Sequence, residues 1–334
     1  HIWPEADVSR SPELRAGGAD YGHIALAYQR ALKTEILREA LTRQGGIDEG
    51  KLAGLRVEAL PGDEAGLHWR TRITLHVGDD GRAGPYVERS RTVVAVDSLP
   101  LASESIEALG VHLGDWGGHR QLRMVAPSAA EPRLVIDQQK PQTITEFVDG
   151  IEFVLSDYSF WQVHRHAAQT LSSAVRDALA TTEIEPSAEH LDLYGGVGLF
   201  AAFIGQSFGA NASITVVESD PLASGYISRN LEGYPNATAV TEEVRSFLRR
   251  FRPRGRVGAV VLDPPRSGAK DEVVRRTVEL NPQAVVYVAC DPIALGRDVS
   301  TFRSLGYELS TVRGFDLFPH THHTEAVALL VPGR

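Results

Sequence analysis

Cys290 is the only cysteine in the 334-residue chain, which rules out internal disulfides and any cluster bound by several of its own thiolates. It stands in Ala289-Cys290-Asp291-Pro292, between the apolar run AVVYVA and a helical stretch. A thiol at a helix N-terminus is expected to have a lowered pKa and to reach the thiolate, the form that attacks electrophilic carbon. Glu325 opens the apolar run AVALLV. A carboxylate buried in a sheet is costly unless paired, so Glu325 is a candidate general base. Asp263-Pro264-Pro265-Arg266 follows the run VGAVVL, and its two prolines fix an extended loop that presents an acid and a guanidinium. His320, His322 and His323 precede Glu325. They lack a Cys or acid partner at finger-like spacing, so they read as loop, packing or substrate-contact groups, and no metal site is expected.

A second group of residues suits a nucleotide. Asp192-Leu193-Tyr194-Gly195-Gly196-Val197-Gly198-Leu199-Phe200 turns from a strand into a helix. Gly196 and Gly198 let the backbone approach a ligand closely, and the helix N-terminus adds a favourable dipole. Glu218 ends the next strand about 20 residues on, where a carboxylate can accept both ribose hydroxyls of an adenosine. A dehydrogenase shows the same pair, so these residues indicate adenosine without choosing the chemistry.

The elements that must position these groups alternate. HLDLY, SITVVES, VGAVVLD and AVVYVAC are short β-type runs separated by helical stretches, which predicts a doubly wound, mostly parallel sheet from about 156 to 334. Each motif above falls at the carboxyl end of a strand, where such sheets bind ligands. Between about 55 and 155 the runs RTRITLHV, TVVAVDSL, QLRMVAP, RLVID, TITEFV and IEFVLS are separated by Gly, Asp and Pro, predicting a small, mostly antiparallel α+β domain. Residues 1–54 contain an amphipathic helix predicted over 21–46, stopped by Gly45-Gly46.

Composition sets the outer bounds. The chain is 43% hydrophobic, enough for two sizeable cores. No run approaches the roughly 20 apolar residues of a membrane span, and the first residues lack a signal pattern, so a cytoplasmic protein is expected. The net charge of −9 is the wrong sign for gripping a polyanion with the whole surface, though a local basic patch suffices. Arg245, Arg249, Arg250, Arg252, Arg254 and Arg256 form either a solvated helix end or such a patch.

Together these motifs resemble the uracil-C5 RNA methyltransferase family, which contains the tRNA T-loop and 23S ribosomal RNA enzymes. DLYGGVGLF is similar to its cofactor loop, LDPPRSGA to its D-P-x-R loop, VYVACDPIALGRD to its nucleophile segment, THHTEAVALL to its H-x-E base segment, and FWQVH at 160–164 to its F-x-Q-x-N motif. The resemblance covers about residues 15–334. It implies a class I S-adenosylmethionine methyltransferase fold with a seven-stranded sheet, and an N-terminal helix docked on that unit. It also implies that Gln162, Tyr194, Glu218 and Asp263 contact S-adenosylmethionine, with Glu243 a further candidate. Arg266 would place the uridine and its phosphate, Cys290 would be the nucleophile and Glu325 the base. The partner would be tRNA or 23S rRNA, and the protein is expected to be a monomer. Phe160 and Trp161 either hold the target base or belong to the core.

Three departures stand out. Ala16-Gly17-Gly18-Ala19-Asp20 looks like the C-G-G-C-D half of the family's iron–sulfur site with both cysteines replaced, so no cluster is expected. His164 stands where the motif has Asn. The oligonucleotide-binding barrel of many members would precede this sequence, so the chain is expected to lack it. Rival readings are a nucleic-acid amino-methyltransferase using the Asp-Pro-Pro loop without a nucleophile, an NAD-dependent dehydrogenase, and a non-catalytic RNA-binding or folding module.

Overall fold

The computed structural model of the chain describes residues 1–88 and 90–333. Its first half runs through helix α1 (Leu26–Arg43), strands β1 (Val57–Glu58), β2 (Arg72–Val77) and β3 (Ala83–Gly84), the single turn α2 (Glu104–Glu107), and strands β4 (Gln121–Val125), β5 (Arg133–Ile136), β6 (Thr143–Val148) and β7 (Ile151–Ser156). β3-β2-β4-β5 form an antiparallel sheet, and β6-β7 a separate hairpin. Strand alternation sorts the sheet's faces. Leu75, Leu122 and Met124 are buried in an apolar cluster with Trp3, Ala16, Ala19, Val96 and Leu99. Arg72, Thr74, His76 and Arg123 share the other face, with Arg72 opposite Val125 and Thr74 opposite Arg123. The run TVVAVDSL is not a strand of this sheet: Val94 and Val96 are buried, but the segment pairs only through an isolated bridge, Tyr86 to Val93.

α1 is shorter than the predicted 21–46. Residues 21–24 form turns held by Gln29, whose Nε2 donates to the carbonyls of Tyr21 (3.0 Å) and Ile24 (2.8 Å). The buried positions are Gln29, Lys33, Thr34, Leu37, Ala40 and Leu41, while Ile36 is exposed. Half of the stripe is therefore polar, and its partners are supplied by a distant loop: Lys33 Nζ donates to Asp316 Oδ1 at 2.5 Å and to the Phe318 carbonyl at 3.0 Å.

The second half alternates as predicted: α3 (Ala167–Ala180), β8 (Glu189–Leu193), α4 (Leu199–Phe208), β9 (Ser213–Glu218), α5 (Pro221–Asn230), β10 (Ala237–Thr241), α6 (Val244–Arg250), β11 (Val257–Leu262), α7 (Lys270–Glu279), β12 (Ala284–Ala289), α8 (Pro292–Ser304), β13 (Tyr307–Phe315) and β14 (Glu325–Pro332). The sheet order is β1-β13-β14-β12-β11-β8-β9-β10, with β14 antiparallel to its neighbours and the rest parallel. An eighth strand thus joins the seven expected, because β1 pairs with Gly314 and Phe315 at the edge. Every residue of β11 and β12 is buried, as strands covered by apolar clusters on both faces must be. Strand order reverses between β8 and β11, which opens a crevice above their carboxyl ends. Among the described residues no helix is long and apolar enough to cross a membrane.

Candidate active site

At the end of β8 the chain turns into α4 through backbone that few side chains accept. Gly196 and Gly198 have φ of 55° and 93°, and Tyr194 itself sits at 64°. A Cβ on Gly195 would lie 2.3 Å from Val216 Cγ1, so this glycine is required by close packing on β9. Glu218, at the end of β9, accepts the Gly196 N–H at 2.9 Å through Oε2. Beneath the turn, Asp192 Oδ2 accepts the Ala201 N–H at 2.9 Å and Oδ1 is buried without a hydrogen-bond partner. The hollow above it is lined by Phe160, Trp161, Gln162, Tyr194, Gly196 and Asp263 among others.

The electrostatics of this hollow are those of crowded acids. Burial, and secondarily Glu218, pushes Asp263 up to about 7. Burial also pushes Asp192 up to about 7, with Asp263 and Glu218 adding to the effect. Tyr194 is raised to about 12 by burial and the charges of Asp298 and Glu243. Glu243, at the N-cap of α6, is thus near Tyr194 but does not line the hollow.

Cys290 and Glu325 meet through strand register. β12 and β14 pair antiparallel from Val285 with Leu330 to Ala289 with Ala326; one step further, Cys290 falls opposite Glu325. Directly opposed antiparallel residues have Cβ atoms roughly 4.5–5.5 Å apart. Glu325 is buried, and burial together with Asp263 holds its carboxyl well above the usual range, while Arg266 opposes the effect. The expected lowering of the thiol pKa is overturned. Burial first, then the charges of Glu325 and Asp263, push Cys290 up to about 12. The helix N-terminus is already engaged, because Asp291 caps α8 by accepting the Ala294 N–H at 2.7 Å. Arg266 is exposed and donates to His323 Nε2 at 3.1 Å. Burial and the neighbouring His322 and Arg266 lower His323 to about 4, so it is a neutral acceptor. Asp20 accepts from the N–H (3.0 Å) and Nδ1 (2.6 Å) of His322.

Other sequence expectations separate here. Trp161 is core, packed against Phe153, whereas Phe160 is 67% exposed at the mouth of the hollow. His164 turns away from the hollow to a fully buried contact with Asp63 at 2.5 Å. The arginine cluster is largely neutralised: Arg245 and Arg249 pair with Glu272, Arg250 with Glu242 and Arg256 with Glu185. His320 is tied to Gln29 and the Ala65 carbonyl. Asp192 and Asp20 stand inside motifs read from the sequence, yet their burial or long-range bonding carries no local signal. Arg70, beside the site, was not legible either.

The family model described as tRNA (Uracil-5-)-methyltransferase matches residues 237–332. An uncharacterized RNA methyltransferase of Streptomyces avermitilis is 33% identical, over 95% of this chain and 81% of its own length. The 23S rRNA (uracil(1939)-C(5))-methyltransferase RlmD of Photorhabdus laumondii is 27% identical, over 94% of this chain and 80% of its own. The crystal structure of the Pyrococcus abyssi tRNA (uracil-54, C5)-methyltransferase in complex with S-adenosyl-L-homocysteine superposes with a TM-score of 0.70 at 22% identity, covering 97% of this chain and 88% of that one.

Proposed function

The chain belongs to the uracil-C5 RNA methyltransferase family, and from that premise we propose that it methylates C5 of a uridine in tRNA or 23S rRNA, with S-adenosylmethionine as donor and Cys290 as a transient covalent nucleophile. The observation that carries the reading is the nearness of Cys290 to the charges of Glu325 and Asp263, one residue beyond the last β12–β14 pair, Ala289 with Ala326.

The residues present fit the donor. Its sulfonium and ammonium are positive, and the hollow is lined by Asp263, with the charge of Glu218 acting on it and no Lys or Arg in the lining among the described residues. Gly196 and Gly198 would admit the donor's backbone-facing edge, Glu218 would exchange its bond to Gly196 for ribose hydroxyls, and Gln162, Tyr194 and Asp263 would line it, with Glu243 a more distant contributor. When bound, S-adenosylmethionine supplies the methyl group.

The chain's own residues do the remaining chemistry. Uracil C5 is a weak nucleophile until an addition at C6. Cys290, its proton released to solvent, forms a bond from Sγ to C6, and the C5=C6 electrons move to C5 and O4. A cation beside Asp263 opposes the negative charges that hold the thiol up, so thiolate formation is coupled to donor binding. After C5 is methylated, Glu325 takes the C5 proton, and the Sγ–C6 bond breaks as the double bond re-forms. Burial favours the neutral carboxyl, so Glu325 first releases its own proton to solvent, and the carboxylate so formed is a strong acceptor for the C5 proton. Arg266 and the exposed Phe160 would hold the flipped uridine. Because alanine occupies positions 16 and 19, the reading includes no iron–sulfur cluster. It also treats 55–155 as the central, RNA-contacting domain and 156–334 as the methyltransferase domain, with the helix of segment 1–54 docked on the latter, although β1 joins the large sheet and Trp3, Ala16 and Ala19 pack on the central one.

Mapping of 5-methyluridine in total RNA from cells with and without the gene tests the proposal. Loss of one 5-methyluridine site supports it. Loss of an N-methylated nucleoside would favour the amino-methyltransferase reading, and no change in any methylated nucleoside would favour a non-catalytic RNA-binding module.

A further inference from the structure

A groove of about 550 Å³ runs between the polar face of the β3-β2-β4-β5 sheet and the segment 157–163, within the size range of sites that hold whole ligands, ≈ 300–1,000 Å³. Phe160 and Trp161 line both this groove and the glycine-turn hollow, so the two adjoin at these side chains. Arg70, Arg72, Thr74 and His76 are alternate residues along one line of the chain, at a spacing of roughly 6.7 Å, and Arg123 lies opposite Thr74.

Three arginines, Arg70, Arg72 and Arg123, line the groove against two acids, Glu88 and Asp157. Arg72 is paired with Glu146 at 3.3 Å, and Asp157 with Arg133 at 3.6 Å. Arg70 and Arg123, by contrast, have no carboxylate within 4 Å among the described residues. Arg70 donates through Nε to the Arg72 carbonyl and lies near the Trp69 ring, and Arg123 packs over Tyr158. Arg70 is partly buried, and burial and the charge of Arg266 both lower its pKa. The like charges of Arg70 and Arg266 lie close together, with Arg70 drawn out of water, which suits a bound anion. Arg245, Arg249, Arg250 and Arg256 differ on this point, because Glu272, Glu242 and Glu185 already pair with them.

We propose that this groove carries the RNA strand adjoining the target uridine, held as a single strand, with Arg70 and Arg123 each meeting a phosphodiester and Phe160 standing at the point where the target base leaves the strand for the hollow. The proposal rests on the uridine-methylating reading and deepens it: recognition extends beyond the target base along one strand, and the partner must present that base in a loop or other unpaired segment.

The test is fluorescence anisotropy with a 5′-labelled ten-nucleotide single-stranded oligouridine, titrated from low to high salt with wild type, Arg70→Gln, Arg123→Gln and Arg249→Gln. Removing one arginine that neutralises a phosphate of a single strand reduces the slope of log K against log salt by about 0.7. Arg70→Gln and Arg123→Gln should each show a slope shallower by about that much, and Arg249→Gln an unchanged one. S-adenosylhomocysteine binding measured on the same samples checks that each variant is folded, and if Arg70→Gln fails that check, Arg123→Gln decides. Unchanged slopes in the two groove variants, or an equal reduction in Arg249→Gln, would overturn the groove. Methyl transfer to total RNA is followed in parallel. A wild type that methylates while the slopes of the groove variants match its own sinks the groove alone. One that binds with the expected slopes but forms no 5-methyluridine sinks the catalytic reading. A wild type that does neither sinks both.

Discussion

Replacing Asp263 by Asn should abolish a pH dependence of donor binding that the wild-type hollow is built to show. Desolvation of the partly exposed Asp263, and secondarily the charge of Glu218, push its carboxyl up to about 7. A cationic ligand favours the ionised carboxylate, so binding strengthens as pH rises through that value and releases a proton below it. At pH 6 roughly one Asp263 in eleven is ionised, and at pH 8 roughly ten in eleven. Affinity for S-adenosylmethionine should therefore rise about tenfold between the two, or about 1.4 kcal/mol. Asp192 titrates in the same range, and Glu218, Glu325 and Arg266 face the same space, so the variant is needed to isolate one group. Titration calorimetry at pH 6, 7 and 8 should give a rising affinity for wild type, and for Asp263→Asn a curve flatter by about tenfold and weaker at pH 8. S-adenosylhomocysteine, which lacks the sulfonium charge, should show a smaller rise. Wild-type affinity that does not change with pH, or a variant that keeps the full slope, would refute the electrostatic reasoning.

The other expectations follow from the same geometry. Glu325→Gln should allow addition of the thiol but not loss of the C5 proton, so a methylated protein–RNA adduct should accumulate on denaturing gels while turnover falls at least 10²-fold. Lys33→Met leaves Asp316 buried with Arg30 as its remaining cation. It should cost about 3 kcal/mol in urea unfolding, and a Lys33→Met/Asp316→Leu pair should recover part of it. Because Asp192 and Asp263 are raised in the folded state, the folded protein holds protons that the unfolded chain releases from about pH 4 upward. Ligand-free stability should consequently fall as pH rises from about 4 through 7, and urea midpoints across that range check the sign.

The large sheet was legible because its strands are apolar on both faces and end in Gly, Pro, Cys and acid motifs that only a carboxyl edge explains. The site was legible where chemistry is local, at Asp192–Phe200, Asp263–Arg266, Ala289–Pro292 and His322–Glu325. What escaped was set by partners distant in sequence. Lys33 and Gln29 are buried because Asp316 and His320 reach them from nearly 300 residues away. The thiol of Cys290 is raised rather than lowered first by burial and then by the charges of Glu325 and Asp263, which other strands bring near it and no local spacing contains. Arg245, Arg249, Arg250 and Arg256 are quenched by Glu272, Glu242 and Glu185, whereas Arg70, unremarkable in the sequence, has no carboxylate within 4 Å among the described residues.

The covalent role of Cys290 is tested most directly by incubating the protein with S-adenosylmethionine and 5-fluorouridine-substituted RNA carrying the mapped site. Fluorine at C5 leaves no proton for Glu325 to remove, so a stable adduct should form and digest to a peptide containing Cys290, and Cys290→Ala should give neither adduct nor 5-methyluridine on ordinary RNA. Methylation that persists in Cys290→Ala, with no adduct in the wild type, would contradict the assignment.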